Sequence, residues 1–469
     1  MRRPGPLAAL VCEGFFSRLA FGLVSFALPL YARSLGLSIA AIGFLVSFAT
    51  VVSLLFKPVL GGLADHMGLR RALLVSLVLR SLLSLAYTLV TLPWQLYAVR
   101  GFHGFSDSLR DPAVNALIAE NGGKKAVASA FAWYQTAKMT AGAVGKSIAG
   151  VLLTLTAGGF GLTFGVAFGL SLLPAVAVLL LVPRDAVAAP TPSAAELAGA
   201  ATSGSPPARP PVARYATLGF LIAGASSMLT SLFPILATEW AGLTTAQAGL
   251  LYLITPALAF TGPLWGVLAD RVSRSLVLSV RGIFNSVSAL VYLFAPNLVG
   301  MWVGKSFDDL GKAAYRPAWG SLMADISSQD RRKRARIMGY LSAGEDAGGV
   351  VAPILAGLLW TGFGVPAALL GRVAFAVVAE GYTLWLEHRA PVRGRGRHRR
   401  RHAHRAEGAH TAQGGRHSPD RAPRTGLPAI PSAHGNGRVD GAPPAPAVPV
   451  RLVRDGRAGT RAGSTAGSG

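Results

Sequence analysis

The sequence predicts an all-α membrane protein of 12 transmembrane helices, arranged as two six-helix repeats around a central cavity and followed by a disordered C-terminal tail. Three observations predict it. Of the 469 residues, 51% are hydrophobic and only 14% are charged, against about 25% charged residues in a typical soluble domain. Twelve mostly apolar stretches reach the length of about 20 residues that a helix needs to cross a bilayer. The first six stretches repeat in the second six. This composition argues against a single water-soluble enzyme.

The predicted helices fall into two groups separated by a stretch rich in Pro, Ala and Ser. The first six cover 8–32, 38–60, 72–92, 94–118, 128–155 and 160–182, and the second six cover 214–237, 244–265, 275–296, 298–322, 335–360 and 363–386. We therefore divide the chain into an N-terminal six-helix bundle (1–183), a cytoplasmic linker (184–213), a C-terminal six-helix bundle (214–388) and a disordered basic tail (389–469). The tail holds 16 Arg and four acidic residues, which accounts for half of the net charge of +24.

The distribution of basic residues in the short loops predicts the orientation, because cytoplasmic loops carry an excess of Lys and Arg. With a cytoplasmic N-terminus, the short outer loops carry Arg33 alone. Both termini are then expected inside a plasma membrane, and the excess of Arg over Lys is typical of a bacterial, GC-rich genome. The inner loops would carry Arg70, Arg71, Lys124, Lys125, Arg271, Arg274, Arg331, Arg332, Lys333, Arg334 and Arg336.

An internal repeat relates the two bundles. KPVLGGLAD (57–65) matches GPLWGVLAD (262–270) at an offset of 205, and the same offset places Pro112 on Pro317 and Glu120 on Asp325. Parallel six-helix repeats joined by a linker are a transporter architecture, with the substrate site at the interface of the repeats. The repeat therefore predicts a transporter with a central site.

The segment GGLADHMGLRR (61–71) resembles the loop motif between the second and third helices of the major facilitator superfamily, Gly-x-x-x-Asp-x-x-Gly-Arg-Lys/Arg. RGFHG (100–104) resembles the fourth-helix motif of that family, with His103 in the place of Gln, and 145–150 resembles the antiporter motif only weakly because Lys146 replaces Pro. The resemblance implies alternating access, with Asp65 and, less surely, Asp270 as conformational gates; the alternative is ordinary loop-capping charges. The predicted gating residues are Gly61, Asp65, Gly68, Arg70, Asp270, Arg271, Arg274, Glu120 and Asp325.

Twenty charged residues fall within the predicted helices, and exposing all of them to lipid would cost on the order of 60 kcal/mol. They must therefore pair, reach an interface or line a water-filled cavity. Two stripes share one helical face each. The predicted substrate and proton cavity comprises the fourth-helix stripe Arg100, His103, Asp107 and Asp111, the tenth-helix stripe Lys305, Asp308, Lys312 and Arg316, and Glu13, Arg18, Lys138 and Glu345.

Opposite charges stand at repeat-related positions of the two stripes, Asp107 with Lys312 and Asp111 with Arg316. One hypothesis is that these acids and bases meet across the cavity when its inner side closes. The alternative is that each stripe is satisfied within its own half. Burial also makes five acids candidate carriers of a coupled proton: Glu13, Asp107, Asp111, Asp308 and Glu345.

The favoured function is proton-coupled export of a small organic compound, as in drug or metabolite efflux. Uptake or exchange of an anionic metabolite is the alternative, supported by the excess of intramembrane bases. A non-transporting scaffold and a membrane enzyme are less favoured, since no motif assembles a nucleophile or metal site. The single cysteine, Cys12, excludes an internal disulfide or a cysteine-based metal cluster. No phosphate-binding GxxxxGK[ST] loop occurs, which argues against an ATP-driven pump. We expect no cofactor, no metal and no nucleic acid, and a monomer whose partners are its substrate, protons and the bilayer.

Overall fold

The computed structural model describes residues 5–121, 127–182, 211–272, 274–328 and 334–389, and these residues form 12 helical spans. Most of the predicted linker and tail lies outside the described residues. Spans 1 to 6 are Gly5–Ser34, Ile39–Met67, Leu69–Leu89, Pro93–Asn121, Val127–Leu155 and Phe160–Leu181. The predicted fold class is confirmed, and each predicted helix has a counterpart in the same order.

Spans 7 to 12 form the second half. Span 7 comprises Val212–Ser227, the short helix Phe233–Ile235 and the π-helical turn Leu236–Trp240. Span 8 comprises Thr245–Leu250, the 3₁₀ turn Leu251–Leu253, Ile254–Ala259 and Gly262–Arg271. Spans 9 and 10 are Arg274–Phe294 and Leu298–Ser328. Spans 11 and 12 are the two parts of Arg334–Arg389, which separate at Gly364, whose φ of 84° is a left-handed value that favours glycine.

Length and hydropathy identify six of the described helices as membrane-spanning, or seven if the bent pair in span 8 counts as one. One of the six, Ile337–Leu386, contains both span 11 and span 12. Spans 4 and 10 fall outside this set because their charged stripes make them too polar. The charged residues that lower the hydropathy of these two helices are the ones that we expect to carry function.

Spans 7 and 8 are broken, whereas the sequence predicts continuous helices there. The two parts of span 8, Thr245–Ala259 and Gly262–Ala269, bend by 47°. Pro263 lies in the first turn of the second part; it has no N–H to donate, and its ring displaces the preceding turn.

The repeated loop motif is mostly helical, which corrects the prediction of a loop over 61–71. Residues 61–67 are the last two turns of span 2, and span 3 begins at Leu69. Gly68 alone leaves the helical conformation, with φ 86° and ψ 133°. Its carbonyl accepts the first hydrogen bond of span 3, from Ala72 N at 3.0 Å. A single residue therefore forms the turn between two transmembrane helices.

Residues related by the sequence offset of 205 make equivalent contacts in the structure. A Cβ built on Gly61 would lie 3.8 Å from Pro112 Cγ, and one built on Gly266 would lie 3.6 Å from Pro317 Cβ. The sequence alignment pairs these glycines with each other and these prolines with each other. Spans 2 and 4 therefore pack in the same way as spans 8 and 10.

The halves join at one end, which we call the closed end; the opposite end, with Gly68, is the motif end. At the closed end one apolar core takes residues from both halves, including Phe26 and Phe233. Toward the motif end each half has its own core, one around Leu73 and Leu117, the other around Leu278 and Trp319.

Two helix crossings hold the closed end together. Span 2 crosses span 11, where a Cβ on Gly43 would lie 2.4 Å from Pro353 O, and span 5 crosses span 8, where Gly150 and Gly249 pack in direct backbone contact. Beyond the second crossing, Thr154 Oγ1 and Thr245 Oγ1 hydrogen-bond at 2.7 Å. Glycine permits these approaches because any larger side chain would separate the backbones.

Candidate substrate cavity

A cavity of about 420 Å³ lies between the two halves, bounded at one side by the closed end. It is lined by parts of spans 1, 5, 7, 8, 9, 10 and 12. Its charged lining is dominated by bases, a feature of sites that attract anions. The charged lining residues are Arg18, Lys138, Lys146, Lys305, Lys312, Arg316 and Arg372, with the acids Asp308 and Asp309.

Asp308 is held by three bases of the C-terminal half. Its carboxylate accepts from Arg372 Nη2 at 2.6 Å and from Lys312 Nζ at 2.5 Å, and lies 3.5 Å from Arg281 Nη1. Arg372 also donates to Asn285 Oδ1 at 2.7 Å and to Ser288 Oγ at 3.0 Å. Spans 9, 10 and 12 are therefore joined by one buried polar network.

Asp309 follows Asp308 in span 10 and has its own set of partners beside this network. It pairs with Lys305 one turn earlier in span 10, accepts from Thr255 Oγ1 at 2.5 Å, and lies 3.3 Å from Lys312 Nζ. Both acids of the cavity are thus already neutralised by bases of their own half. A cationic substrate would have to displace one of these bases.

The bases of the N-terminal half are arranged differently. Arg18 lies 4.8 Å from the centroid of the Phe21 ring, and Lys138 Nζ lies 5.1 Å from that of Tyr134. Lys146 Nζ lies 4.2 Å above the Tyr252 ring. Within the described part of the chain, none of these three bases has a carboxylate within 4 Å. The cavity therefore has a net positive charge that its own acids do not balance.

Three residues of the span 4 stripe, Arg100, Asp107 and Asp111, line a second cavity of about 230 Å³ and are not among the lining residues of the central one. This second cavity is lined by Arg100, Asp107, Asp111, Lys57 and Asp346, among others. In this conformation these three residues therefore share a cavity with residues of spans 1, 2 and 11, whereas the span 10 stripe lines the central cavity.

Three residues of the span 4 stripe make hydrogen bonds, and one of them, Asp111, accepts from its neighbour Arg110 at 3.4 Å. Asp107 accepts from Arg80 Nη1 at 2.7 Å, and the Asp107 side chain is 31% exposed. His103 is buried with Nε2 3.9 Å from Asp107 Oδ2, and neither ring nitrogen has a hydrogen-bond partner among the described residues. Arg100 donates to Val46 O at 3.3 Å.

The two stripes do not meet in this conformation. Asp107 bonds Arg80, and Lys312 bonds Asp308. Asp107, Asp308 and Lys312 are thus each paired within their own half. Arg316 reaches across the cavity to Met139 Sδ, a contact between the halves that involves no acid.

Glu13 is fully buried away from both cavities. Its Oε1 accepts from Arg110 Nη2 at 2.7 Å and from Arg110 Nε at 3.1 Å, and Arg110 also donates to Tyr134 Oη at 3.0 Å. This ion pair joins spans 1, 4 and 5. Glu345 accepts from Tyr315 Oη at 2.8 Å within the C-terminal half.

The predicted gating residues are only partly described. Arg70 donates to Leu179 O at 2.8 Å, at the C-terminal end of span 6, where a cation complements the helix dipole. Arg271 and Asp325 are exposed. Gly61 and Gly68 have the roles in packing and turning given above. The side chains of Asp65, Glu120, Asp270 and Arg274 lie outside the described residues.

Sequence analysis missed Lys146, Asp309 and Arg372 as residues of the site. All three belong to the twenty charged residues inside the predicted helices. Their position within the membrane was therefore the sequence feature that could have identified them. Lys146 also stands two turns after Lys138 on one face of span 5, which could have placed both in the same cavity.

Comparison with known proteins agrees with this architecture. The sequence model of the Major Facilitator Superfamily matches residues 10–304 and 215–454. This chain belongs to the major facilitator superfamily. The protein is accordingly a multi-pass membrane transporter, and its two halves and the cavity between them are those described above.

Among curated relatives, multidrug resistance protein MdtG of Salmonella arizonae is 29% identical over 140 residues, which is 29% of this chain and 35% of that protein. The same protein of Salmonella newport matches equally. The match thus spans about a third of the length of these relatives.

Solved structures share the fold at low identity. A bacterial homologue of the human lysosomal transporter Spinster, in an inward-facing and occupied conformation, has a TM-score of 0.67 at 14% identity, covering 83% of this chain and 98% of that one. The nucleoside transporter NupG has 0.62 at 13%, covering 81% and 98%. The human organic anion transporter MFSD10 has 0.53 at 15%, covering 81% and 100%.

Proposed function

We propose that this protein is a secondary active transporter that exports a small organic compound by alternating access, in exchange for protons. The observation that carries the proposal is the cavity of about 420 Å³ between two halves that share a core at the closed end and have separate cores toward the motif end. Rocking of the halves about such a cavity would expose it to each side in turn. The similarity to a protein named for multidrug resistance supports the outward direction.

The distribution of basic residues supports a cytoplasmic motif end, with both termini inside a bacterial plasma membrane. In that orientation the cavity of this conformation faces the cytoplasm, which is where an exporter loads its substrate. Transport by one chain suffices, because both halves of the cavity come from the same chain.

Asp107 is our candidate for the carrier of the coupling proton. Its carboxylate is partly exposed to the second cavity and is paired with Arg80. Protonation would abolish the charge of the acid and weaken its bond to Arg80. Glu13, in contrast, is enclosed in a fully buried ion pair with Arg110.

The second candidate function is uptake or exchange of an anionic metabolite. It is favoured by the lining of the central cavity, in which bases outnumber acids and three bases lack a carboxylate partner among the described residues. A carrier that exchanges one anion for another needs no proton carrier, which separates the two candidates experimentally.

The test is transport into vesicles of the purified full chain, with hydrophobic drugs and small organic anions as substrates and with or without an imposed pH gradient. We expect gradient-driven accumulation that a protonophore abolishes. Asp107→Asn should lose gradient-driven accumulation but retain exchange of substrate, whereas Asp111→Asn, a carboxylate of the same cavity, should retain both. Anion exchange that ignores the pH gradient would favour the second candidate, and the absence of any transported compound would contradict both.

A further inference from the structure

The part of the central cavity nearest the closed end, which we call the cavity floor, is formed by Lys146, Tyr252 and Tyr292. The ammonium of Lys146 lies 4.2 Å above the ring of Tyr252. Lys305 lies 5.0 Å from the same ring but is paired with Asp309. Lys146 therefore supplies positive charge at the floor, and no carboxylate among the described residues balances it.

Two hydroxyl groups at the floor also lack partners. Tyr252 and Tyr292 line the cavity and are 5% and 1% exposed, and neither Oη has a hydrogen-bond partner within the described residues. A buried hydroxyl without a partner is destabilising, and such groups call for an explanation. Both oxygens are enclosed by protein in this conformation, so a bound acceptor would satisfy these donors once the two rings turn toward the cavity.

We propose that the cavity floor binds the anionic group of the transported compound, a carboxylate, sulfonate or phosphate. Lys146 supplies the charge, and the hydroxyls of Tyr252 and Tyr292 donate to its oxygens after their rings turn toward the bound group. Charge-assisted hydrogen bonds of this kind are stronger than neutral ones. The inference rests on the proposed function, in that it assigns the cavity to the substrate, and it names the class of that substrate as an organic anion.

The position of the floor gives the anion a second effect. Lys146 belongs to span 5, and Tyr252 belongs to span 8, next to the crossing of these spans at Gly150 and Gly249. An anion held by both residues would bridge the two halves at the end that must separate during transport. A bound anion would thus interact with both halves at once.

The test measures binding separately from transport. Thermal unfolding of the purified full chain in detergent is followed with benzoate, benzenesulfonate or phenylphosphate, and with neutral benzamide and cationic benzylammonium as matched probes. A ligand that binds only the folded protein raises Tm with its concentration. We expect the anions to raise Tm and the two other probes to leave it unchanged.

Lys146→Met should weaken the apparent affinity for the anions at least about tenfold, since a hydrogen bond to a charged group is lost. Tyr252→Phe and Tyr292→Phe, which remove one oxygen each, should each weaken it about threefold or more. Arg214→Met, which removes an exposed base at the start of span 7, is the control for net charge and should keep the wild-type affinity. A Tm that no anion raises, or anion binding that is unchanged in Lys146→Met, would overturn the proposal.

Transport of the same probes into vesicles separates the two proposals. Anion binding that depends on Lys146, without transport of any compound, would support the anion site and contradict the proposed function. Transport of benzylammonium that is unaffected by Lys146→Met would support a transporter and overturn the anion site.

Discussion

At the residue scale, the buried charges of the C-terminal half are held by many partners. Arg372 is 1% exposed, and its guanidinium bonds an acid, an amide, a hydroxyl and the carbonyl of Ala225. The pair of Arg33 with Glu239 has similar geometry, with a distance of 2.9 Å, but both side chains are well exposed. Burial, not distance, is therefore expected to decide what each pair contributes.

Arg372→Leu should lower the free energy of unfolding by about 3–5 kcal/mol, because it leaves buried polar groups of spans 7, 9 and 10 without their donor. Arg33→Ala, the exposed counterpart, should lower it by about 1 kcal/mol or less. Thermal unfolding of the purified variants measures both. Equal losses in the two variants would show that burial does not set the contribution of these pairs.

The sequence predicted which face of span 10 is polar but not the partners of its charges. Helical periodicity places Lys305, Asp308 and Lys312 on one stripe. It contains no information on which neighbouring helix the stripe faces. Asp308 is bonded by Arg372, 64 residues away in the chain, a contact that depends on how spans 10 and 12 are rotated. Cross-cavity pairing with the span 4 stripe was therefore a hypothesis that local pattern could not decide.

At the element scale, the junction of spans 2 and 3 depends on one backbone conformation. Gly68 has a φ of 86° with a ψ of 133°, a backbone conformation that residues with a side chain rarely adopt and that costs them about 1–3 kcal/mol. Gly62, two turns earlier in span 2, is helical, and a Cβ built on it would meet nothing within 4 Å. The backbone conformation of the junction therefore favours glycine at position 68, whereas neither conformation nor packing requires glycine at position 62.

Gly68→Ala should destabilise the protein by about 1–3 kcal/mol, because alanine is strained at this combination of φ and ψ. Gly62→Ala should stabilise it by up to about 1 kcal/mol, because alanine is the better helix former. The difference in Tm between the two variants is the measurement. A Gly68→Ala protein as stable as the wild type would mean that another backbone conformation can form this junction.

Most helix ends were predictable to within a few residues, since the apolar stretches are long, but spans 2, 8 and 10 continue six or seven residues past their predicted ends into polar sequence. The breaks in spans 7 and 8 were not predictable. Pro29, Pro112 and Pro174 lie inside helices that the structure keeps continuous, so Pro263 in the sequence is no evidence of a bend by itself. Neighbouring helices decide whether the backbone groups freed by a proline find other partners.

At the scale of the whole molecule, the closed end must separate if the cavity is to reach the other side. The hydrogen bond between Thr154 and Thr245 spans the two halves there, and so does the donation from Ser147 Oγ to Gly249 O at 2.9 Å. These contacts are compatible with only one of the two states of an alternating-access cycle.

A disulfide between Thr154→Cys and Thr245→Cys, in a Cys12→Ser background, should stop transport, because it keeps the closed end shut. Reduction with dithiothreitol should restore the rate. Each single cysteine variant, treated with the same oxidant, is the control and should transport at its untreated rate. A double variant that is cross-linked on a gel and still transports would contradict opening at this end.

The three bases of the N-terminal half without an acidic partner among the described residues, Arg18, Lys138 and Lys146, have a kinetic consequence. In the proposed alternating-access cycle, an occluded empty state would remove water from these charges without supplying a counterion, at a cost of several kcal/mol for each fully desolvated ion. A bound anion removes part of that barrier. The loaded form should therefore reorient faster than the empty form, and unlabelled anion on the far side of the membrane should accelerate the efflux of labelled anion.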